Sequence, residues 1–204
     1  MPSPPKSPSI GIRYVSDAVK SDHRLLERIQ ASLSSPPATD SLEIRHALYS
    51  WLSWELARHI VAMELFIFPG TAHRAKQGNQ AALDRQRDLE QLREALRAFS
   101  AATAKAGDGD EKVRVALEDL GEHLGRHIRD VERVDLVNIE KVLSGQESED
   151  LAKDFERTVF FIPHGVRDEE DEVASVEAPY ETVEALLDAG AGELREAMER
   201  FPRE

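Results

Sequence analysis

Histidine and carboxylate side chains recur one helical turn apart at four places in the chain: His23 with Glu27, Glu55 with His59, Asp84 with Asp88, and His123 with His127. At about 100° per residue, positions i and i+4 share a helix face. His59 lies within about 60° of Leu48, Leu52, Leu56, Met63 and Phe66 on such a wheel. His127 shares a face with Leu120, Leu124, Val131 and Val134, Asp88 with Ala81, Leu92, Ala95 and Phe99, and His23 with Val19 and Leu26. The spacing therefore predicts a polar pair facing inward from each helix. Buried charge is costly unless it is paired or bound to a metal. Inward histidines and carboxylates on facing helices are how bundle metal sites are built. Without a metal, the same groups serve as general acids and bases. His46, His73 and His164 fall outside this set and are expected at the surface.

Four helical periods must position these residues. They are predicted over about 15–33, from an Asp40 or Ser41 cap to Phe68, over about 73–105, and over about 110–143. Pro36–Pro37, Pro69–Gly70, Gly107–Gly109 and Ser144–Gly145 punctuate them. Glycine is nearly absent inside the periods and no β-alternation appears, so strands are not expected. Short links favour antiparallel neighbours. The fold expected is all-α, an up-down-up-down four-helix bundle with a C-terminal helical extension. Residues 1–11, rich in proline, read as a flexible arm, 12–145 as the bundle, and 146–204 as an extension packed on it. In that extension a short helix is predicted over 149–157, an apolar Thr158–Pro163 segment against the bundle, a solvated acidic run at 168–172, and one last helix over 180–200. A homodimer partner is the other candidate to cover its apolar stripe.

Composition narrows the chemistry. The 204 residues include no cysteine, which excludes disulfides, thiolate metal sites and a cysteine nucleophile. The net charge is −13, and most of it lies beyond residue 166. No basic stripe marks a nucleic-acid or anionic-membrane partner. No apolar run reaches the roughly 18 residues of a membrane span, and the first ten residues carry no apolar signal core. A cytoplasmic protein that takes a small-molecule ligand or substrate is expected. Nucleophile elbows, phosphate loops and dinucleotide fingerprints are absent.

Several segments resemble the fungal branch of the haemerythrin-like (HHE cation-binding) family. DHRLLERI is similar to its first-helix motif, WELARHIVAMELFIFP to its second, LDRQRDLEQL to its third and LGRHIRDVERVDL to its fourth. DFERTVFFIP and APYETVEALL are similar to its C-terminal segment. The resemblance implies a four-helix bundle with non-haem iron, in which His23, His59 and His127 are ligands. Where the family carries a carboxylate four residues after the second- and fourth-helix histidines, this chain has Met63 and Val131. Asp88 stands in place of the third-helix histidine. Glu64 and Glu132 remain, each about 140° from its histidine on a regular helix, and are expected to point away from the axis.

Two readings follow. In the first, a rearranged site drawn from His23, Glu27, Glu55, His59, Asp88, His123 and His127 holds one iron or manganese ion rather than an intact di-iron centre. His23, His59, Asp88 and His127 are then the ligands, Glu55 and His123 the proton-transfer groups, and the chemistry oxygen-dependent. In the second, no metal binds. Met63 and Val131 wall an apolar pocket whose His and Glu residues do lyase, isomerase or cyclase chemistry, or only bind a small molecule.

Overall fold

The computed structural model describes residues 14–34, 41–69, 74, 76–104, 111–166 and 177–200. The expected arm, the acidic run at 168–172 and the Pro36–Pro37 and Gly107–Gly109 breaks lie outside them. Every regular element among the described residues is helical. No helix among them is long and apolar enough to cross a membrane.

Helix α1, Val15–Ser34, buries Val15, Ala18, Val19, His23, Leu26, Ile29 and Leu33, the three-and-four spacing of a single stripe. Helix α2, Leu42–Ala62, starts at Ser41, whose Oγ accepts from the Ile44 N–H. Helix α3, Gln80–Thr103, starts later than the sequence predicts, because Gly78 turns the chain at φ 79° and Asn79 caps the helix. Helix α4, Glu111–Asp130, continues through a π-turn at Val131–Asp135 into α5, Leu136–Glu140. A second π-turn, Met63–Ile67, extends α2. Helix α1 packs on α2 and α4, and α3 packs on the same two, which closes the ring of four.

Ser144, four residues past the end of α5, begins the next helix. Its Oγ accepts from the Glu147 N–H, while Glu147 accepts from the Ser144 N–H, a reciprocal cap for α6, Gly145–Arg157. Helix α6 lies along α1 and in turn caps it. The Val15 N–H donates to Ser148 Oγ and the Ser16 N–H to Glu140 Oε1, each at 3.0 Å. Two otherwise unpaired donors of the α1 N-terminus are thus met from outside the helix. A 3-10 turn at Thr158–Phe161 follows and rests on α2.

The predicted last helix is two. Helix α7, Val183–Asp188, packs on α2, and α8, Ala191–Glu199, follows a break. Ala189 (ψ 131°) and Gly190 (ψ 152°) are extended, so the apolar residues fall on two separate faces rather than one stripe. Arg93 of α3 donates to the Leu187 carbonyl and Arg97 pairs with Asp188, which fixes α7 over α2 and α3. Every residue of α2 from Leu52 onward is buried, including Ser53, Trp54 and Arg58. A bundle helix normally keeps one wet face. Here the C-terminal segment covers it.

Phe155 and Phe161, both fully buried, anchor this cover. Deleting residues 151–204 would remove both and uncover the outer side of α2. The truncated chain should be insoluble or melt far below the full-length protein. A soluble truncation with an unchanged melting temperature in a thermal scan would contradict this packing.

Candidate metal centre

Three histidines from three helices meet in the interior. His23 of α1, His59 of α2 and His127 of α4 are buried at 0%, 0% and 2% exposure. One ring nitrogen from each lies within 4.8 Å of the other two. The ring centroids stand 5.0, 5.3 and 5.7 Å apart, all edge to face. His59 Nε2 and His127 Nε2 approach to 3.1 Å. Phe155 closes one side, with its ring 6.0 Å from that of His59. Met63 and Val131, fully buried, join Ala62, Leu89 and Phe155 in an adjoining apolar cluster.

Two of the rings are held from behind by carboxylates. His23 Nδ1 lies 2.9 Å from Glu132 Oε1, and His59 Nδ1 lies 3.2 Å from Asp22 Oδ2. Arg58 donates to Asp22 and, at 2.8 Å, to Glu55 Oε2. Trp51 Nε1 donates to Glu55 Oε1 at 3.2 Å. Burial works against the charge of Asp22, but Arg58 and His59 outweigh it and hold the carboxyl well below its usual range. Burial also opposes the Arg58 charge, and Asp22 and Glu55 more than restore it. His23 is pushed down to about 3, chiefly by burial and then by His59. Burial, His59, His23 and Arg85 depress His127 in the same direction. Both rings are therefore neutral at pH 7, the form that ligates metals.

One expectation is corrected and its counterpart stands. Glu132, at the start of the Val131–Asp135 π-turn, reaches His23 Nδ1 on the neighbouring helix instead of standing clear of the site. Glu64, in the matching place after His59, does point outward and pairs with Arg93 at 2.6 Å. Sequence reasoning also missed Asp22 and Arg58. The one available signal for Glu132 was a shared pattern in two helices, an apolar residue at four and a glutamate at five after histidine.

Other predicted site residues go elsewhere. Among the described residues, the group able to hold a metal is the three histidines alone. Asp88 is not with them. The buried face of α3 runs through Ala82, Leu89, Leu92, Ala95, Leu96 and Phe99, and Asp88 sits at its edge, paired with Arg85. Arg85 also pairs with Asp135 and lies 5.5 Å from the Phe68 ring. Asp84 and Glu27 are exposed. His123 is partly exposed, 3.8 Å from Asp119, and turns away from the cluster. Glu55 is buried beside His59, but its oxygens are taken by Arg58 and Trp51. Of the four inward pairs predicted, only Glu55 with His59 is inward at both positions.

Antiparallel helices around three converging, buried imidazoles define a helical-bundle protein equipped to hold a metal ion. The chain belongs to the hemerythrin family: the Hemerythrin HHE cation binding domain matches residues 15–137, from the start of α1 into α5. It is similar to a hemerythrin-like protein of Schizosaccharomyces pombe (strain 972 / ATCC 24843), with 30% identity over 189 residues. That match covers 92% of this chain and 88% of the relative, so it extends into the C-terminal segment. No solved structure matches the chain.

The depressed His23 makes stability depend on pH. Its folded value of about 3 lies below the ordinary 6.5. The stability of the neutral buried ring is fully present above pH 6.5 and is lost as pH falls through 6.5 toward 3, because only the unfolded chain takes up the proton. The metal-free protein should lose about 2 kcal/mol from His23 alone between pH 7 and pH 5. Urea melts across that range measure it, and His23→Gln should flatten the slope. A wild-type slope of zero would exclude a buried neutral His23.

Proposed function

We propose that this protein holds a single non-haem metal ion through His23, His59 and His127 and uses it on a small oxygen-containing molecule. The 3.1 Å approach of His59 Nε2 to His127 Nε2 carries this reading. Two imidazole nitrogens bound to one ion at about 2.0–2.1 Å stand about 2.9–3.4 Å apart. Two further nitrogens, His23 Nε2 and His127 Nδ1, are buried without a hydrogen-bond partner. Such orphans are costly unless something absent from the protein itself satisfies them. A cation near His23 and His59 Nε2 would do so for His23.

Imidazole donors favour iron over manganese, which prefers oxygen ligands. The ion would supply Lewis acidity and one-electron redox chemistry. The chain's own residues do the rest. The three rings leave coordination positions for a substrate. Phe155, Met63 and Val131 keep the surroundings apolar and exclude water. Glu132, about a third exposed, is the carboxylate best placed to pass a proton between solvent and the site, a role that neither Glu55 nor His123 is positioned to fill.

Protein purified from iron-supplemented medium should carry one iron per chain by elemental analysis. His59→Gln and His127→Gln should each lower this to background while the helical circular-dichroism signal persists. Two irons per chain, with the absorption of an oxo-bridged pair, would overturn the single-ion reading. Failure to retain or take up Fe2+, Mn2+ or Zn2+ would favour the metal-free alternative.

A further inference from the structure

We propose that Asp22, clamped by Arg58 and Glu55, makes His59 the anchoring ligand of the three. This rests on the metal reading above, but it concerns a set of residues outside the ligand sphere. The chain of contacts is continuous. Trp51 Nε1 donates to Glu55, Arg58 bridges Glu55 and Asp22, and Asp22 Oδ2 accepts from His59 Nδ1 at 3.2 Å. Glu55 is 0% exposed and Arg58 is 2% exposed.

The Asp22 carboxylate, held by Arg58, is placed to accept from the His59 Nδ1–H, which makes Nε2 the nitrogen turned toward His127 and free to ligate. A carboxylate behind a ligating imidazole fixes its tautomer and orientation and raises its basicity. Arg58 is what keeps Asp22 available for that work. Its planar fork engages Glu55 through one nitrogen and Asp22 through another, which a lysine could not do in the same plane. Glu55 in turn holds Arg58 in register. The formal charges of Glu55, Arg58 and Asp22 leave one uncompensated negative charge behind His59. Glu132 adds a second behind His23. Two carboxylates behind three imidazoles match a divalent cation: with each ring bound in its neutral ligating form, the filled site is electrically neutral. Nothing comparable backs His127, whose Nδ1 has no partner. Of the three rings, His59 is therefore the most firmly aimed.

The test uses the full-length chain, Co2+ as probe, and two readouts. In the metal-free protein, histidine 15N NMR should show His59 as the Nδ1–H tautomer. Asp22→Asn should convert it to a mixture, since an amide can donate as well as accept. In Co2+ titrations, Asp22→Asn should weaken binding about 10- to 100-fold. Arg58→Lys should fall between wild type and Asp22→Asn, and Asp22→Glu should restore part of the affinity. If Asp22→Asn does not fold, Arg58→Lys reports on both readouts. Unchanged tautomer and unchanged Co2+ affinity in the variants would overturn the positioning role. A wild-type chain that binds no Co2+ would instead overturn the metal reading, and the tautomer measurement would still decide whether Asp22 orients His59.

Discussion

Three buried imidazoles brought within ligand distance in a dry interior are the constraint around which the molecule is arranged. Protonating His23 or His127 there would place a cation among other rings at low dielectric, and both resist it. Leaving them neutral sets a different requirement, because the inner nitrogens then crowd together, with His59 Nε2 and His127 Nε2 within hydrogen-bond distance at 3.1 Å. The carboxylates sit on the outer nitrogens, which directs the inner lone pairs to a common point. Glu132 meets His23 from the Val131–Asp135 π-turn, across the seam between α4 and α1.

The C-terminal segment belongs to this economy. Helix α2 carries His59 and the whole Glu55–Arg58 clamp, and a charged clamp holds its geometry only while water is kept from competing. Helices α6 and α7 and the 3-10 turn cover the remaining sides of α1 and α2. Phe155 does two things at once: it fills the core between α6 and the bundle, and it shields the His59 ring. The α1 N-terminus is capped by Ser148 and Glu140, so the helix bearing Asp22 and His23 depends on α6 for its own start.

Much of this was legible in the sequence, for identifiable reasons. Helix periods were readable because the stripes of α1 and α4 are strongly one-sided, and the cap at Ser41 sits where a side chain of that type belongs; the Asn79 cap of α3 was missed. The three histidines were found because each sits on a stripe of leucines and valines. Asp88 was misread for the same reason, since periodicity places it on the stripe of α3 but cannot see Arg85 drawing it to the edge. Helix α2 was read as one-sided although it is buried all round, because its cover lies more than eighty residues away in the chain. Glu132 was misjudged because a wheel relates a residue only to its own helix axis, whereas Glu132 meets His23 on the neighbouring helix α1. Asp22 was passed over because its neighbour His23 took the inward position. On adjacent residues the wheel allows only one to point at the axis, yet Asp22 reaches His59 sideways, across the α1–α2 seam.

The third helix explains why a single ion is the natural occupant under the proposed reading. Helix α3 brings no imidazole to the cluster; it brings Arg85, paired with Asp88 and Asp135 beside the second π-turn. The guanidinium is almost wholly buried, and its charge is one of the forces that keep His127 unprotonated. A second metal cation on this side would meet a fixed positive charge. Its nearest carboxylates would already be committed to Arg85, and its other walls would be the methionine and valine side chains of Met63 and Val131. The cost of a second ion is then electrostatic as well as a matter of missing ligands. Restoring glutamates at 63 and 131 alone would leave Arg85 in place, so ligand number and local charge must change together before the site could hold two ions.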